Sequence, residues 1–355
     1  MRTLSSADLE DLGVEVILAN AYHLMLRPGP DVVQSLGGIH GFASWPGHVV
    51  SDSGGFQVFS LRPRVDDDGV SFRSTYDGSA HRLTPELAVA VQAQLGADVQ
   101  MALDVCPPLP SPPPVVRLAV ERTAAWAARA RAAHLDTDQS IFGITQGGTD
   151  TELRAESAQR TAALGFDGYG IGGLSVGEPR AEMLAALAAA LGELPADRPR
   201  YLMGVGDPVG LVEAVALGVD QFDCVLPTRL GRHGTVLTTA GRVQLRRADN
   251  TLDDGPLDPS CACGVCARWS RAYLRHLLMV NEPTAPRLVT MHNVAWTLAL
   301  MERIRAAIPA GTLTALRAEV AAVWGEPSDH PPAQPLSTRT ARSKAAAVWA
   351  AHGQG

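Results

Sequence analysis

The chain has 355 residues, a net charge of -7, 46% hydrophobic residues and 19% charged residues. This length accommodates one large barrel-type domain or two average domains, and the composition is that of an ordinary globular protein. The acidic balance argues against a protein that coats nucleic acid, although a local basic patch is compatible with it. No apolar run reaches the ~18 residues that a bilayer span requires, and the first residues lack the apolar core of a signal peptide.

Short apolar runs alternate with alanine-rich helical stretches along most of the chain. Seven runs are predicted to be strands: Val14–Ala19, His48–Ser53, Asp98–Asp104, Ser140–Thr145, Tyr169–Gly173, Arg200–Val205 and Gln221–Val225. Helices are predicted between most of them: Pro85–Leu95, Pro114–His134, Thr151–Leu164, Pro179–Leu191 and Pro208–Leu217. Thr84 and Asp207 each precede a proline and are predicted N-caps.

This alternation predicts an α/β fold, in which a parallel sheet is surrounded by helices. We expect a (β/α)8 TIM-type barrel with its first strand missing, because one strand fewer is counted than the barrel contains. Glycine-rich and polar segments follow the strands, where barrel active sites are built. An open doubly wound sheet is the alternative, although no GxGxxG motif follows the first strand.

The remaining segments predict smaller elements and the domain boundaries. Two rim hairpins are predicted, Val70–Arg82 turning at Asp77-Gly78 and Gly234–Leu245 turning at Ala240-Gly241. Two late helices are predicted at Arg268–Val280 and Val294–Ile308. The predicted domains are a barrel body with its rim hairpins (1–245), a zinc-binding subdomain with its following helix (246–295), a C-terminal helical segment (296–327) and a flexible tail (328–355).

Three cysteines and one histidine have the spacing of a metal site. Cys261, Cys263 and Cys266 lie in CACGVC, and His292 follows in TMHN. A Cys₃His set is typical of a structural zinc site closed by four protein ligands, so we predict one Zn²⁺ per chain. Three unrelated cysteines in a loop are the alternative. A total of five cysteines, of which three have the spacing of metal ligands, fits a reducing cytoplasm better than a disulfide framework.

Three aspartates lie at the ends of predicted strands: Asp52 in VVSDSGGFQ, Asp104 in MALDVC and Asp223 in QFDCVLPTR. Carboxylates at one barrel mouth are typical of glycosidic-bond chemistry, in which one attacks an anomeric carbon and another handles protons. N-capping and structural salt bridges are the alternatives. Between Asp223 and Thr290 arginines outnumber acidic residues, which fits either a phosphate-contacting face or solvated helix faces.

Several motifs resemble those of the bacterial tRNA-guanine transglycosylases, the queuine tRNA-ribosyltransferase family. They are DSGGFQ, GGLSVGE, YLMGVGDP, FDCVLPTR and the CxCxxC set with its distant histidine, supported by ANAYHLMLRPG and CARWSRAYLRHL. They follow one another in family order from about residue 18 to residue 292. The resemblance implies that the wobble guanine of GUN-anticodon tRNAs is exchanged for 7-aminomethyl-7-deazaguanine in queuosine biosynthesis. Within the family, the residues at Cys106 and Val176 favour that base.

The resemblance also implies roles for individual residues. Asp223 corresponds to the nucleophile that forms a covalent ribosyl-enzyme, and Asp52 to the general acid/base. The implied base-binding residues are Ser53, Gly54, Gly55, Phe56, Asp104, Gln146, Gly173, Leu174 and Met203. The implied tRNA-binding residues are Gly204, Val205, Gly206, Asp207, Pro208, Val209, Gly210, Thr228, Arg229, Leu230, Gly231 and Arg232.

The resemblance also implies which of these residues contacts which part of the base. Asp104 corresponds to the acceptor for its amidine-like edge, and Gln146 and the Gly173 N–H to donors toward its exocyclic oxygen. Phe56 and Met203 correspond to the pair that sandwiches the ring, as a flat π-system favours. The Leu174 carbonyl corresponds to the acceptor for the aminomethyl group.

The resemblance also bears on assembly, chain length and competing functions. The family commonly forms homodimers through an aromatic cluster that corresponds to Trp269, Tyr273 and His276, although intramolecular packing of these side chains is the alternative. The family pattern also includes a segment upstream of MRTLSSADLEDLG, so we expect either a longer natural protein or a truncated one. A non-catalytic tRNA-binding subunit, a DNA-acting deazaguanine transglycosylase and a hydrolytic glycosidase are the competing functions.

Overall fold

The computed structural model describes residues 3–61, 63–135 and 138–325. The described strands are β1 (Val16–Ala19), β2 (His48–Ser51), β3 (Arg64–Asp66), β4 (Gly69–Arg73), β5 (Ala80–Leu83), β6 (Val99–Met101), β7 (Ser140–Thr145), β8 (Gly168–Ile171), β9 (Arg200–Leu202), β10 (Gln221–Phe222), β11 (Thr235–Thr238) and β12 (Gly241–Gln244). The predicted tail, residues 328–355, lies outside the described residues.

The described helices, in chain order, are α1 (Ser6–Asp11), α2 (Ala21–Leu26), α3 (Pro30–Ser35), α4 (Gly38–Ala43), α5 (Gly55–Phe59), α6 (Pro85–Leu95), α7 (Pro113–Ala133), α8 (Thr151–Ala162), α9 (Arg180–Leu191), α10 (Pro208–Leu217), α11 (Leu226–Arg232), α12 (Arg271–Met279), α13 (Thr284–Ala307) and α14 (Leu313–Trp324). A 3₁₀ turn occupies Ala248–Asn250. No helix in these described ranges is both long and apolar enough to cross a bilayer.

The described residues divide into two compact units. The barrel unit contains residues 16–204 and 217–222, and the C-terminal unit contains residues 3–15, 205–216 and 223–325. Each unit has its own apolar clusters of buried side chains.

The barrel unit is built on a seven-stranded sheet in the order β1-β2-β6-β7-β8-β9-β10. Every neighbouring pair is parallel, and the strands follow one another in chain order. This arrangement confirms the predicted TIM-barrel class. The doubly wound alternative is wrong, because such a sheet reverses its strand order at a switch point.

The long helices begin and end close to their predicted bounds. Thr84 caps α6 by accepting a hydrogen bond from the Leu87 N–H over 3.2 Å. Asp207 caps α10 in the same way, with its Oδ1 accepting from the Gly210 N–H over 2.9 Å. Both predicted N-caps are therefore confirmed.

The predicted hairpins form, with one correction. β4 and β5 pair antiparallel as expected, and β3 adds a third strand that was not predicted. β11 and β12 also pair antiparallel, but Thr238 is opposite Gly241, so the two-residue turn is Thr239-Ala240. The predicted turn at Ala240-Gly241 was one residue late, because Gly241, at φ +106°, opens the second strand instead of completing the turn.

In the C-terminal unit, the two predicted late helices begin elsewhere. α12 starts at Arg271, because Ser270 acts as its N-cap by accepting from the Tyr273 N–H. α13 starts at Thr284, ten residues before the predicted Val294, so that His292 lies within it. A proline at position 286 conceals this start in the sequence, although proline is tolerated in a first helical turn.

Close packing between β7 and α8 yields a stability prediction. A Cβ at Gly143 would lie 2.5 Å from the Thr161 Cγ2 and 2.6 Å from the Phe166 ring. We expect Gly143→Ala to lower the free energy of unfolding by about 1–3 kcal/mol through overpacking, as measured by denaturant titration. The control is Gly192→Ala, where the nearest atom would be 3.5 Å away. Equal stability of the two variants would contradict the prediction.

Candidate base-binding site and metal centre

The candidate residues of the barrel unit lie just beyond the C-terminal ends of its strands. Asp52 directly follows β2, Asp104 lies shortly after β6, and Gln146 directly follows β7. Neighbouring parallel strands bring these ends to one edge of the sheet. The predicted strands His48–Ser53 and Asp98–Asp104 ended too late, because their last residues form loops.

Asp104 and Gln146 form a buried polar pair at this edge. The Gln146 Nε2 donates a hydrogen bond to the Asp104 Oδ2 over 2.6 Å, and both side chains are buried. Burial raises the pKa of Asp104 to about 6, although the hydrogen bond from Gln146 opposes the rise. Within the described ranges no cationic side chain pairs with Asp104. The pair is therefore suited to a ligand that offers neutral N–H donors.

The loop after β8 lies directly against this pair. A Cβ at Gly172 would lie 2.8 Å from the Gln146 Nε2 and 3.6 Å from the Asp104 Oδ2, and one at Gly173 would overlap the Gln146 Oε1. Gly173 also has φ +66°, which favours glycine. The Gln146 Oε1 is buried and has no hydrogen-bond partner among the described atoms. The Nε2 of the same amide carries a second N–H beyond the one donated to Asp104, so this side chain can also donate to a ligand oxygen.

Arg154 of α8 holds the two loops that carry these groups. Its guanidinium is fully buried and donates to the carbonyls of Gly148 and Gly172 over 2.7 Å each, and to that of Gly173 over 3.2 Å. Burial lowers the pKa of Arg154 to about 10, so the side chain stays charged at neutral pH. The carbonyls surround the cation and fix the backbone next to Gln146.

Asp52 is oriented by three N–H donors. The Asn20 Nδ2 donates to its Oδ2 over 2.7 Å, while the N–H groups of Ala21 and Gly54 donate to its Oδ1 over 2.9 and 3.0 Å. Asn20 also caps α2 by accepting from the His23 N–H over 3.0 Å. The carboxylate is therefore held in one orientation by the start of α2 and by the turn that follows β2.

The turn after Asp52 leads toward the loop that carries Asp104. Ser53, Gly54 and Gly55 are buried, and a Cβ at Gly55 would lie 3.5 Å from the carbonyl oxygen of Asp104. The turn therefore packs against the loop that carries Asp104, and the tightest contact of a Cβ at Gly55 would be with the Leu103 side chain at 3.0 Å.

The other predicted base-binding side chains differ in exposure. Phe56 has 64% of its surface exposed, whereas Leu174 is buried. Met203, which directly follows β9, is half-buried, and a Cβ at Gly170 would lie 3.4 Å from its sulfur. An exposed aromatic ring and a half-buried thioether remain available to a flat ligand.

Asp223 and most of the predicted tRNA-binding residues belong to the C-terminal unit. Asp223 directly follows β10 and is half-buried. The neighbouring Cys224 packs on the loop of residues 205–210, since a Cβ at Gly206 would overlap its sulfur. Arg229 and Arg232 lie in the last turn of α11, where the helix C-terminus favours cations. Gly204 belongs to the barrel unit and is exposed.

The predicted metal ligands come together. The sulfurs of Cys261, Cys263 and Cys266 and a ring nitrogen of His292 lie within 4.8 Å of one another. The His292 Nδ1 faces the Cys266 and Cys263 sulfurs at 3.2 and 3.5 Å, and its Nε2 lies 2.8 Å from the Leu237 carbonyl oxygen. A proton on Nε2 donates to that carbonyl and leaves Nδ1 as a ligand. This donor set fits a tetrahedral metal ion.

The predicted aromatic cluster is only partly helical. Trp269 precedes α12 and packs against the apolar cluster of the C-terminal unit, whereas Tyr273 and His276 are exposed on the helix. Arg271 donates to the Leu257 carbonyl and pairs with Asp253. Some arginines of this basic stretch therefore stabilise the unit itself.

Sequence reasoning missed two residues that shape the site. Asn20 precedes a helix start in ANAYHL, and an asparagine at such a position is a typical N-cap. Arg154 occupies the buried stripe of α8 together with Ser157, Ala158 and Thr161. A charged residue on the buried face of a helix is the signal that would have identified it.

The comparisons with known proteins agree on one family. Residues 1–326 match the family model described as queuine tRNA-ribosyltransferase. A protein named queuine tRNA-ribosyltransferase from Symbiobacterium thermophilum is 51% identical to this chain, over 91% of this chain and 82% of the relative. A protein of the same name from Desulforudis audaxviator is 52% identical, over 87% of this chain and 84% of the relative. The one from Moorella thermoacetica is 50% identical, over 90% and 86%.

The buried Asp104 predicts a pH-dependent stability. Its raised pKa means that the folded chain binds more protons than the unfolded chain between about pH 4 and pH 6, so stability falls as the pH rises through that window. The shift corresponds to a cost of about 3 kcal/mol at neutral pH. We expect Asp104→Asn to raise the melting temperature, and more at about pH 7.5 than at about pH 5. A variant less stable than the parent at both pH values would contradict the prediction.

Proposed function

We propose that this chain, which belongs to the queuine tRNA-ribosyltransferase family, exchanges the wobble guanine of GUN-anticodon tRNAs for 7-aminomethyl-7-deazaguanine. The observation that carries the proposal is the buried pair of Asp104 and Gln146 beside the Gly172–Gly173 backbone. It offers a carboxylate, an amide and a peptide N–H to one flat ligand, which matches the donor and acceptor edge of guanine.

The base would enter this site after leaving its stack. Its N1–H and exocyclic amine donate to the Asp104 carboxylate, and its exocyclic oxygen accepts from the Gln146 amide and the Gly173 N–H. Phe56 and Met203 cover its two faces. An unstacked base of a single-stranded loop is the form that proteins generally recognise in RNA.

The chemistry is a double displacement at the ribose C1′. The Asp223 carboxylate attacks C1′, the C1′–N9 bond breaks, and Asp52 protonates the departing guanine. Asp52 then takes a proton from the incoming base, whose nitrogen attacks C1′ and releases Asp223. Two displacements retain the sugar configuration. The three N–H donors that hold Asp52 support this role, because a proton donor must keep its orientation through both steps.

Base choice rests on the residues beside the polar pair. Burial raises the pKa of the Cys106 thiol to about 12, so the group remains a neutral, small neighbour of Asp104. Val176, with the Leu174 carbonyl nearby in the chain, supports the 7-aminomethyl base. The proposal also includes two further points. The exchange takes place in the reducing cytoplasm, and the protein assembles as a homodimer through the cluster of Trp269, Tyr273 and His276.

The test is exchange of radiolabelled guanine into a GUN-anticodon tRNA. We expect incorporation by the parent and its loss, by about 10⁴-fold or more, in Asp223→Ala, because the covalent step then has no nucleophile. The control is Asp249→Ala, which removes an aspartate whose side chain is 81% exposed. With the acceptor base withheld, the parent should yield a protein–RNA band that survives denaturation.

Other results would favour the competing functions. Release of many guanines per enzyme molecule without an acceptor base would indicate a hydrolytic glycosidase, because formation of the covalent ribosyl-enzyme alone releases at most one guanine per active site. Exchange into DNA but not into tRNA would indicate a DNA-acting transglycosylase, and tRNA binding without exchange would indicate a non-catalytic subunit. Each of these results would overturn the proposal.

We also propose that the Cys₃His cluster holds one structural Zn²⁺ per chain. The metal would neutralise the sulfurs and join the loop of residues 261–266 to α13, so its binding free energy would add to folding stability. We expect Cys266→Ser to abolish zinc binding and to lower the melting temperature, whereas Cys106→Ser should retain about one zinc per chain. Metal analysis and thermal unfolding measure both effects. A zinc-free variant as stable as the parent would contradict the structural role.

A further inference from the structure

Three exposed side chains form a patch beside Asp52, which we call the His23–Arg27–Tyr76 patch. His23 lies in α2, Arg27 directly follows that helix, and Tyr76 lies in the connection between β4 and β5. The His23 Nδ1 is 3.0 Å from the Tyr76 hydroxyl, and the Arg27 Cζ lies over the Tyr76 ring, 4.6 Å from its centroid. The ring therefore holds both basic side chains in fixed positions.

The basic side chains of the patch are exposed to solvent, and the Arg27 guanidinium is not neutralised by a carboxylate of the described residues. Tyr76 is 41% exposed, and His23 and Arg27 are exposed as well. In the part of the chain that the structure describes, no carboxylate pairs with Arg27. The adjacent Asp77 is engaged by Ser79, whose N–H and hydroxyl donate to it over 3.1 and 2.6 Å. An exposed guanidinium held on an aromatic ring without an acidic partner is suited to an anionic ligand.

The patch and the proposed acid/base share one helix. Asn20 bonds to Asp52 and caps α2, His23 lies in the first turn, and Arg27 follows the last. Each helical turn advances about 5.4 Å, so the basic groups begin about one turn from the Asp52 carboxylate. A nucleotide whose ribose reaches Asp52 would bring its neighbours along the strand to this patch.

We propose that the His23–Arg27–Tyr76 patch binds a backbone phosphate of the RNA strand next to the exchanged nucleotide. The inference rests on the proposed function, because it takes the RNA as the occupant. Arg27 supplies the guanidinium that contacts the phosphate, Tyr76 fixes its position, and His23 extends the basic surface. Protein surfaces that bind single-stranded nucleic acid commonly combine basic side chains with aromatic rings.

The experiment measures exchange kinetics with an anticodon stem-loop RNA over a series of salt concentrations. We expect Arg27→Ala to raise the KM for RNA by about 5- to 10-fold at low salt, and to reduce the slope of log KM against log salt by about 0.7, as for one lost phosphate contact on a single strand. The KM for guanine and kcat should stay within about twofold. Tyr76→Leu should act like Arg27→Ala, and Tyr76→Phe, which keeps the ring, should act more weakly.

The control is Arg117→Ala, which changes the net charge equally. Arg117 is exposed in α7 and pairs with Glu156 over 3.3 Å. If Arg27→Ala and Arg117→Ala show the same KM for RNA and the same salt slope, the proposal is overturned. A loss of kcat with an unchanged slope also overturns it, because the patch would then only support α2 and Asp52.

Failure of the proposed function would be visible separately. Guanine exchange by the parent protein tests the proposed function. RNA binding by the same variants, measured by fluorescence anisotropy, tests the patch independently of the exchange reaction. If the parent protein binds the stem-loop but does not exchange guanine, the proposed function is refuted. The salt dependence of RNA binding by the parent and by Arg27→Ala then still tests whether the patch contacts a phosphate.

Discussion

The hydrogen bonds from Arg154 to backbone carbonyls are the interaction on which the arrangement of Gln146 and the loop after β8 depends. Burying a cation without a carboxylate is costly, and here carbonyl dipoles from two separate loops offset that cost. The guanidinium in turn joins the loop after β7 to the loop after β8. Those loops present the Gln146 side chain and the Gly173 peptide to the same space, so the arginine acts on the site without entering it.

The glycines around Arg154 follow from the same arrangement. A Cβ at Gly147 would lie 2.8 Å from the backbone nitrogen of Arg154, and one at Gly173 would overlap the Gln146 amide. Both residues also adopt positive φ. The close approach of α8 therefore accounts for Gly147 in the ITQGG segment, whereas the Gln146 side chain accounts for Gly172 and Gly173 in the IGGLS segment.

Much of the fold was predictable because strands and helices here carry strong local patterns. Apolar runs such as Ser140–Thr145 and capped starts such as Thr84-Pro85 depend only on neighbouring residues. Some of the features that were missed depend on distant partners. β3 exists because it pairs with β4, and Tyr76 meets His23 and Arg27 across many intervening residues. The hydrogen-bond partners of Arg154 could not be predicted either, because no pattern in the neighbouring sequence indicates that a buried arginine contacts two loops.

A metal held by the Cys₃His group would act on function from a distance, within the C-terminal unit. His292 lies in α13 and bonds to the carbonyl of Leu237 in β11, so ligands bound there would join helix, hairpin and cysteine loop. The same helix carries Thr290 against Gly231 of α11, where a Cβ would lie 2.7 Å from the Thr290 Cα. Because α11 carries Arg229 and Arg232, a metal that stabilises α13 would also hold the helix proposed to contact RNA. The ion would then contribute to RNA recognition while taking no part in bond exchange.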